Sequence, residues 1–318
     1  MQKELQIDAK PQVKVGTSVK VKRNQWNKLL TISLFVAPAF IIYAIYVIYP
    51  IFATFNYSLH EWNSMQSEKT FIGFANYVEL FNDQIFWTAL KNNFLVVFIS
   101  VFVQIPLGLV MALMLFAPIR GIKLFNTIYF MPFLMSTVAI GLLWVFMFDP
   151  INGTMNQLLR MLGVEKWQVA WLSEESTAMW SVLLVIVWQF APFYMILFKA
   201  GIVGIPEELY EAAQIDGANK WKQFTHITFP LLMPTIVSSS ILAIVGSLKT
   251  FDLFYIMTGG GPNNATELMG TYMFKQAFQI FDMGYASTIA FMMFFIAFIV
   301  VAIIQVMETQ RRKKGGYL

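Results

Sequence analysis

Six stretches of this chain are continuously apolar, each about the length of a membrane-crossing helix: about 29–55, 91–116, 124–147, 178–203, 231–257 and 286–307. About 20 helical residues cross about 30 Å of hydrocarbon. Within a bilayer every backbone polar group needs a partner in the protein, which leaves helices and closed barrels. A barrel strand alternates apolar and polar residues, and these runs do not. The reading is an all-α polytopic membrane protein with about six transmembrane helices. Composition agrees, since 58% of the 318 residues are hydrophobic and 13% charged, whereas a soluble domain carries about 25% charged residues. Pro38 and Pro50 fall in the first run, where a membrane helix tolerates them. There is no cysteine, which excludes disulfides, thiol catalysis and thiolate metal sites. His60 and His226 are far apart in sequence and lack ligand spacing, so no metal is expected.

Lys and Arg bias sets the orientation. With the N-terminus inside, four segments are cytoplasmic: a basic tail over 1–28 with Lys20, Lys22, Arg23 and Lys28, the link 117–123 with Arg120 and Lys123, the polar stretch 206–229, and a tail over 311–318. Together with Lys199 at the adjoining end of the fourth run, that side holds 16 of the 22 Lys and Arg residues. The opposite loops, 56–87, 148–176 and 258–284, are expected outside and hold ten of the 18 acidic residues. The net charge of +4 therefore belongs to cytoplasmic loops and not to a nucleic-acid surface. The transmembrane domain covers 29–310, with both termini inside. No small-residue cleavage site closes a short apolar core near the start, so no removable signal peptide is expected.

The stretch 206–229 is unusually polar for this chain. Pro206 suits the first turn of a helix, and Glu207, Glu208 and Glu211 place negative charge near its positive end. Gly217 supplies a left-handed stop. "NKWKQFTHITF" forms a second short helix, and Pro230 opens the fifth span. Two short helices at an angle would present a rigid knob to the cytosol; a plain interfacial loop is the alternative.

Glu211-Ala212-Ala213, three residues, Gly217, nine residues, Ile227, two residues and Pro230 resemble the "EAA" loop of ABC-importer permeases, EAA-x3-G-x9-I-x-L-P. Phe229 stands where that pattern has Leu. The flanks "IPEELYEAAQIDGANKWKQFTHITFPLLMP", together with "LFVAPAFIIYAIYVIYP", "GFANYVELF", "GLLWVFMFDPINGTMN" and "FDLFYIMTGGGP", resemble the maltose-transporter-like carbohydrate branch. The resemblance covers nearly the whole chain beyond the first 25 or so residues. It implies a type I importer permease fold in a bacterial cytoplasmic membrane. It further implies that the loop is a coupling helix docked in a cleft of a separate ATPase, with Glu211, Ala212, Ala213, Asp216, Gly217, Ile227 and Pro230 as its signature. The chain carries no Walker motif, G-x-x-x-x-G-K-[ST]. No catalytic residue and no bound cofactor are therefore expected, and ATP and Mg would sit on the partner. The implied partners are a second homologous permease, two copies of an ABC ATPase, an extracytoplasmic sugar-binding protein and membrane lipid, but no nucleic acid.

Polar residues within spans are functional candidates. Asp252 is the one carboxylate inside a run, and Lys249, three residues earlier, would share its helix face. Gln104, Trp188, Gln189, Asp252 and Tyr255 are the candidate lining of the pathway, because amides and aromatic faces suit sugar hydroxyls and rings. Helix–helix hydrogen bonding and packing is the alternative for the neutral residues, and for Asp252 it is an intrahelical pair with a snorkelling Lys249 near the outer interface. Three other classes compete. An ion-coupled secondary transporter would carry its own ion site and often internal repeats, which are not evident. A channel has no use for the EAA loop, and a membrane enzyme would need a cluster of His, Asp or Glu.

Overall fold

The computed structural model describes residues 25–65, 68–116 and 121–313. The basic tail up to residue 24, Arg120 in the link, and Lys314 with the residues after it lie outside the described residues. Residues Met1–Ile51 and Phe52–Leu318 form two separate units. The first contains α1 (Gln25–Tyr43), with Pro38 inside it, and a π turn at Ala44–Ile48. Helix α2 (Tyr49–Ser58) carries the chain on into the second unit.

In the second unit a small antiparallel hairpin, β1 (His60–Glu61) with β2 (Thr70–Phe71), precedes α3 (Ala75–Asn82). Helix α4 (Gln84–Ile99) starts seven residues before the expected span. Asp83 caps it there, accepting from the Ile85 amide at 2.7 Å. A π turn at Ser100–Gln104 leads into α5 (Ile105–Met114). The third run is not one straight span. It divides into α6 (Ile122–Leu134) and α7 (Thr137–Met147), bent by 96°. Pro132 removes an amide donor in the last turn of α6, and Met135 is extended.

The 148–176 loop folds into α8 (Thr154–Met161) and a 3-10 turn at Glu165–Trp167, after which α9 (Glu175–Val203) runs unbroken through Pro192. Helices α10 (Glu207–Ile215) and α11 (Lys220–Gln223) form the polar stretch. The second of these is no separate helix. It continues through a π turn at Phe224–Thr228 into α12 (Phe229–Leu248), with Pro230 in the first turn of α12. The fifth run also breaks, at Lys249–Phe251, and resumes as α13 (Asp252–Met257). The 258–284 loop contains α14 (Met269–Lys275) and a π turn at Gln276–Ile280, and α15 (Met283–Lys313) ends the described chain. Among the described residues five helices are long and apolar enough to cross a membrane, or six if the α6–α7 pair counts as one.

Lipid offers no hydrophobic drive for one helix to join another, so close backbone approach and buried hydrogen bonds do that work. Gly108 on α5 lies against Tyr194, Ala191 and Met195 on α9, and an added Cβ would stand 2.6 Å from the Tyr194 Cβ. Gly201 on α9 is similarly close to Leu232 and Thr235 on α12. Ser247 Oγ donates to Ser100 Oγ at 2.9 Å, tying α12 to the π turn after α4. One core layer joins Val96, Ile140, Trp144, Val182, Ile186 and Phe254; a second joins Leu80, Phe86, Leu248, Met269, Tyr285 and Ile289.

Candidate functional site

The 206–229 stretch closes in a specific way. Gly217 has φ +78°, the left-handed conformation that glycine reaches without steric cost. The Ala218 amide donates to the Ala213 carbonyl at 2.8 Å, and the Gly217 amide donates to the Gln214 carbonyl at 3.0 Å. This pair of bonds is a Schellman stop, so the second alanine of the EAA triplet also supplies the carbonyl that ends α10. Asn219 then caps α11, accepting from the Lys222 amide at 2.9 Å. The buried Gln223 side chain donates to the Ala218 carbonyl at 3.1 Å. Tyr210 and Thr228 share a hydroxyl hydrogen bond of 2.8 Å, which fixes α10 to the π turn below α12.

The result is a rigid projection. Glu211, Ala212, Asp216 and Gly217 are exposed, while Ala213, Ile227 and Pro230 are half-buried and belong to its base. Sequence reasoning missed two apolar side chains on the same projection. Ile215 is 87% exposed and Trp221 is 70% exposed. An isolated apolar residue in a polar helix carries no signal until the fold shows that nothing among the described residues covers it.

The five candidates within the spans do not meet in one cavity. Gln104 is buried, and its Nε2 donates to the Ile186 carbonyl at 3.1 Å, a tie from the π turn to α9. Gln189 is also buried and donates to Thr137 Oγ1 at 3.4 Å, while its Oε1 has no partner among the described residues. For these two, helix–helix bonding describes the observed contacts. Trp188 lines an apolar groove of about 760 Å³ formed by α5, α6 and α9, and it meets Trp144 edge-on at 5.5 Å. Lys249 and Asp252 are both exposed and do not share a helix, because Lys249 follows the end of α12 and Asp252 starts α13. The described residues contain no ion pair between them. Tyr255 is half-buried, stacked on Phe251 at 5.0 Å and edge-on to Phe274 at 4.9 Å.

Among the described residues, the buried acidic group lies elsewhere, in the 258–284 loop. Glu267 is fully buried and accepts from Lys275 Nζ, whose side chain keeps 25% exposure. Gly260, at φ +86°, packs directly on that carboxylate. Asn92 on α4 donates to the Ala265 carbonyl at 3.0 Å and the Glu267 carbonyl at 2.9 Å. Asn93 accepts from the Met269 amide at 2.9 Å and donates to the Ser247 carbonyl at 3.2 Å. Farther along α14, Tyr272 donates to Asp83 at 2.5 Å, and Tyr285 donates to the same oxygen at 2.7 Å. Burial, and then the hydrogen bond and charge of Asp83, hold the Tyr272 phenol well above its usual pKa. These hubs fasten the loop to both α4 and α12.

The family described as "Binding-protein-dependent transport system inner membrane component" matches residues 104–313. The chain is 41% identical over 266 residues to the probable ABC transporter permease protein YurN of Bacillus subtilis, covering 83% of this chain and 90% of that one. It is 33% identical over 261 residues to the trehalose/maltose transport system permease protein MalF of Thermococcus litoralis, covering 82% and 88%. Its fold is similar to a chain in the crystal structure of a bacterial alginate ABC transporter in complex with an alginate pentasaccharide-bound periplasmic protein. The TM-score is 0.78 at 23% identity, over 92% of this chain and 98% of that one. The family match takes in the whole projection and every helix from α5 to α15. This chain is thus a multi-pass membrane protein of the binding-protein-dependent transport family, as one of its inner membrane components.

Proposed function

We propose that this chain is the permease subunit of an ATP-driven sugar importer, with an oligosaccharide as cargo. It forms half of the translocation pathway, and a second homologous permease forms the other half. Both termini and the 206–229 projection face the cytoplasm. There the projection docks in a cleft on one of two ABC ATPase copies, and ATP and Mg bind to those subunits. Glu211 offers its carboxylate to a basic group in the cleft, and Ala212 allows close approach. When the ATPase pair closes, the two projections are drawn together and the spans turn from inward-facing to outward-facing. An extracytoplasmic binding protein delivers the sugar to the opposite side.

The observation that carries this reading is the projection itself: a polar helix stopped at Gly217, braced at Tyr210 and Thr228, with Glu211 and Ile215 uncovered. A rigid element with exposed acidic and apolar groups can transmit a push from a partner, which a loose loop cannot. The family's dependence on a binding protein supports that partner, and the trehalose/maltose transport named for one relative supports the cargo class.

Labelled oligosaccharide uptake into proteoliposomes, with each component omitted in turn, is the test. Uptake requires both permeases, the ATPase, ATP and the binding protein. Glu211→Lys leaves the permeases assembled but lowers ATPase association and uptake by at least about tenfold, as expected for losing a charged contact of about 1.5–3 kcal/mol. Full uptake by that variant overturns the coupling role. Uptake driven by an ion gradient with this chain alone overturns the importer reading.

A further inference from the structure

The 148–176 loop is held by internal hydrogen bonds, yet it leaves a cluster of apolar side chains uncovered. One polar side chain, Asn156, is buried at its centre, while Gln157, Arg160, Glu165, Lys166 and Glu174 stay exposed. Asn156 on α8 is 2% exposed; its Nδ2 donates to the Pro150 and Val169 carbonyls, both at 3.1 Å, and its Oδ1 accepts from Trp171 Nε1 at 2.9 Å. Gln168 donates to the Asn156 carbonyl at 3.2 Å, and Arg160 donates to the Ile151 carbonyl at 3.0 Å. One part of the outward surface is apolar. Met161 and Leu162 keep 81% and 74% of their surface, and Ile151, Leu158 and Trp167 are exposed beside them. Leu158, Met161 and Leu162 share one face by their spacing of three and four residues. With so many internal bonds holding the loop, this exposure is a property of the fold and not of a loose segment.

Two observations say what covers the patch. It continues the apolar surface of a candidate membrane span, because Val138, Leu142 and Phe146 form an exposed apolar stripe on α7, at intervals of four residues. That stripe leads through Ile151 to α8, and α7 and α8 are in contact. The edge chemistry also fits. Trp167 next to Lys166, with Arg160 on the helix, is the combination found where an apolar face lies at a bilayer surface with its cations near the headgroup phosphates.

We propose that residues 151–167 form an interfacial anchor, with the Leu158, Met161 and Leu162 face immersed at the headgroup–acyl boundary of the bilayer. The anchor fixes the height in the membrane of the bend between α6 and α7. It does not depend on the cargo or on the ATPase.

The native chain has no cysteine, which makes site-directed labelling clean. Leu162→Cys and Met161→Cys are each labelled with an environment-sensitive fluorophore in the full-length chain. Each is reconstituted in phosphatidylethanolamine–phosphatidylglycerol vesicles, both alone and in the assembled transporter. Phe146→Cys on α7 is the lipid-facing reference, and the exposed Asn263→Cys in the 258–284 loop is the water-facing one. Lipid-borne nitroxide is expected to quench positions 161 and 162 about as strongly as position 146, at least about twofold more than position 263. Aqueous iodide should show the opposite order. Iodide quenching equal to that at 263 overturns the proposal, since the face is then in water. Protection from both quenchers that appears only in the assembled transporter also overturns it, because a protein partner then covers the face.

Discussion

Lys275→Met removes the one described partner of the Glu267 carboxylate while leaving the carboxylate buried. A surface pair would lose well under about 1 kcal/mol. This pair is different, because Glu267 has no exposed surface and its other oxygen already lacks a partner among the described residues. Breaking a buried pair from one side costs about 3–5 kcal/mol. The 25% exposure of the Lys275 side chain shows that water reaches one edge of the pair, so the lower end, about 3 kcal/mol, applies. The cost is expected as a lower free energy of local opening around the pair, in the 258–284 loop. An opening free energy lower by about 3 kcal/mol raises the open population by about a hundredfold. Ala277→Cys places a probe at a position only 6% exposed, just after α14. Its rate of reaction with a thiol reagent is expected to rise by about that factor in Lys275→Met. Adding Glu267→Gln removes the stranded charge and restores most of the protection, which separates the charge effect from lost packing. An unchanged rate in Lys275→Met, or a double variant as reactive as the single one, refutes the reasoning.

Gly217→Val carries only a backbone penalty, because an added Cβ meets nothing within 4 Å and φ is +78°. About 1–2 kcal/mol is expected, seen as reduced uptake at a normal level of inserted protein, and Gly217→Asn, which tolerates this conformation, should recover much of it. Gly108→Ala forces a Cβ to 2.6 Å from Tyr194 and should lower thermal stability in detergent by about 1–3 kcal/mol. Gly246→Ala, with nothing within 4 Å, should not. For topology, Asn263→Cys is expected to react with an impermeant reagent added outside, and Asn219→Cys only after permeabilisation; the reverse pattern would invert the orientation.

Much of this was legible from periodicity and spacing. The helical class followed from the apolar runs, and the projection followed from Pro206, Gly217 and the Glu-Ala-Ala between them. The details that failed share one cause: a run of apolar letters does not distinguish a continuous helix from one interrupted by tertiary bonds. Pro132 and Pro192 look alike in sequence, yet α6 ends two residues after Pro132 while α9 passes through Pro192. The difference lies in tertiary contact. Gln189 on α9 reaches Thr137 at the start of α7, which fixes the restart after the bend. The importance of the 258–284 loop was hidden for a similar reason. Glu267 reads as one more acidic residue in a polar loop, and only contacts made at long sequence separation, from Asn92 and Asn93, show that the loop is built into the core.

The two broken runs belong together. Helix α7, after its bend, packs against α13, which comes after the break in the fifth run, and Gly141 lets Ile256 approach to where a Cβ would lie 2.9 Å from it. A break frees backbone groups that hydrocarbon cannot satisfy, so irregular backbone at membrane depth is stable only inside protein or beside water. Lys249 and Asp252, exposed at the second break, strengthen that inference, since charged side chains on a lipid face are costly. Beyond the pair, a cleft of about 510 Å³ lies between the two loops, with Phe148, Asp149, Leu172, Met257, Thr258 and Pro262 among its walls. Helices α7 and α13 are short segments meeting at a glycine contact, each set off by a break from the rest of its run. Both pack into the same core layer as α9, through Ile140, Trp144 and Phe254 with Val182 and Ile186, so protein covers the backbone that the two breaks free.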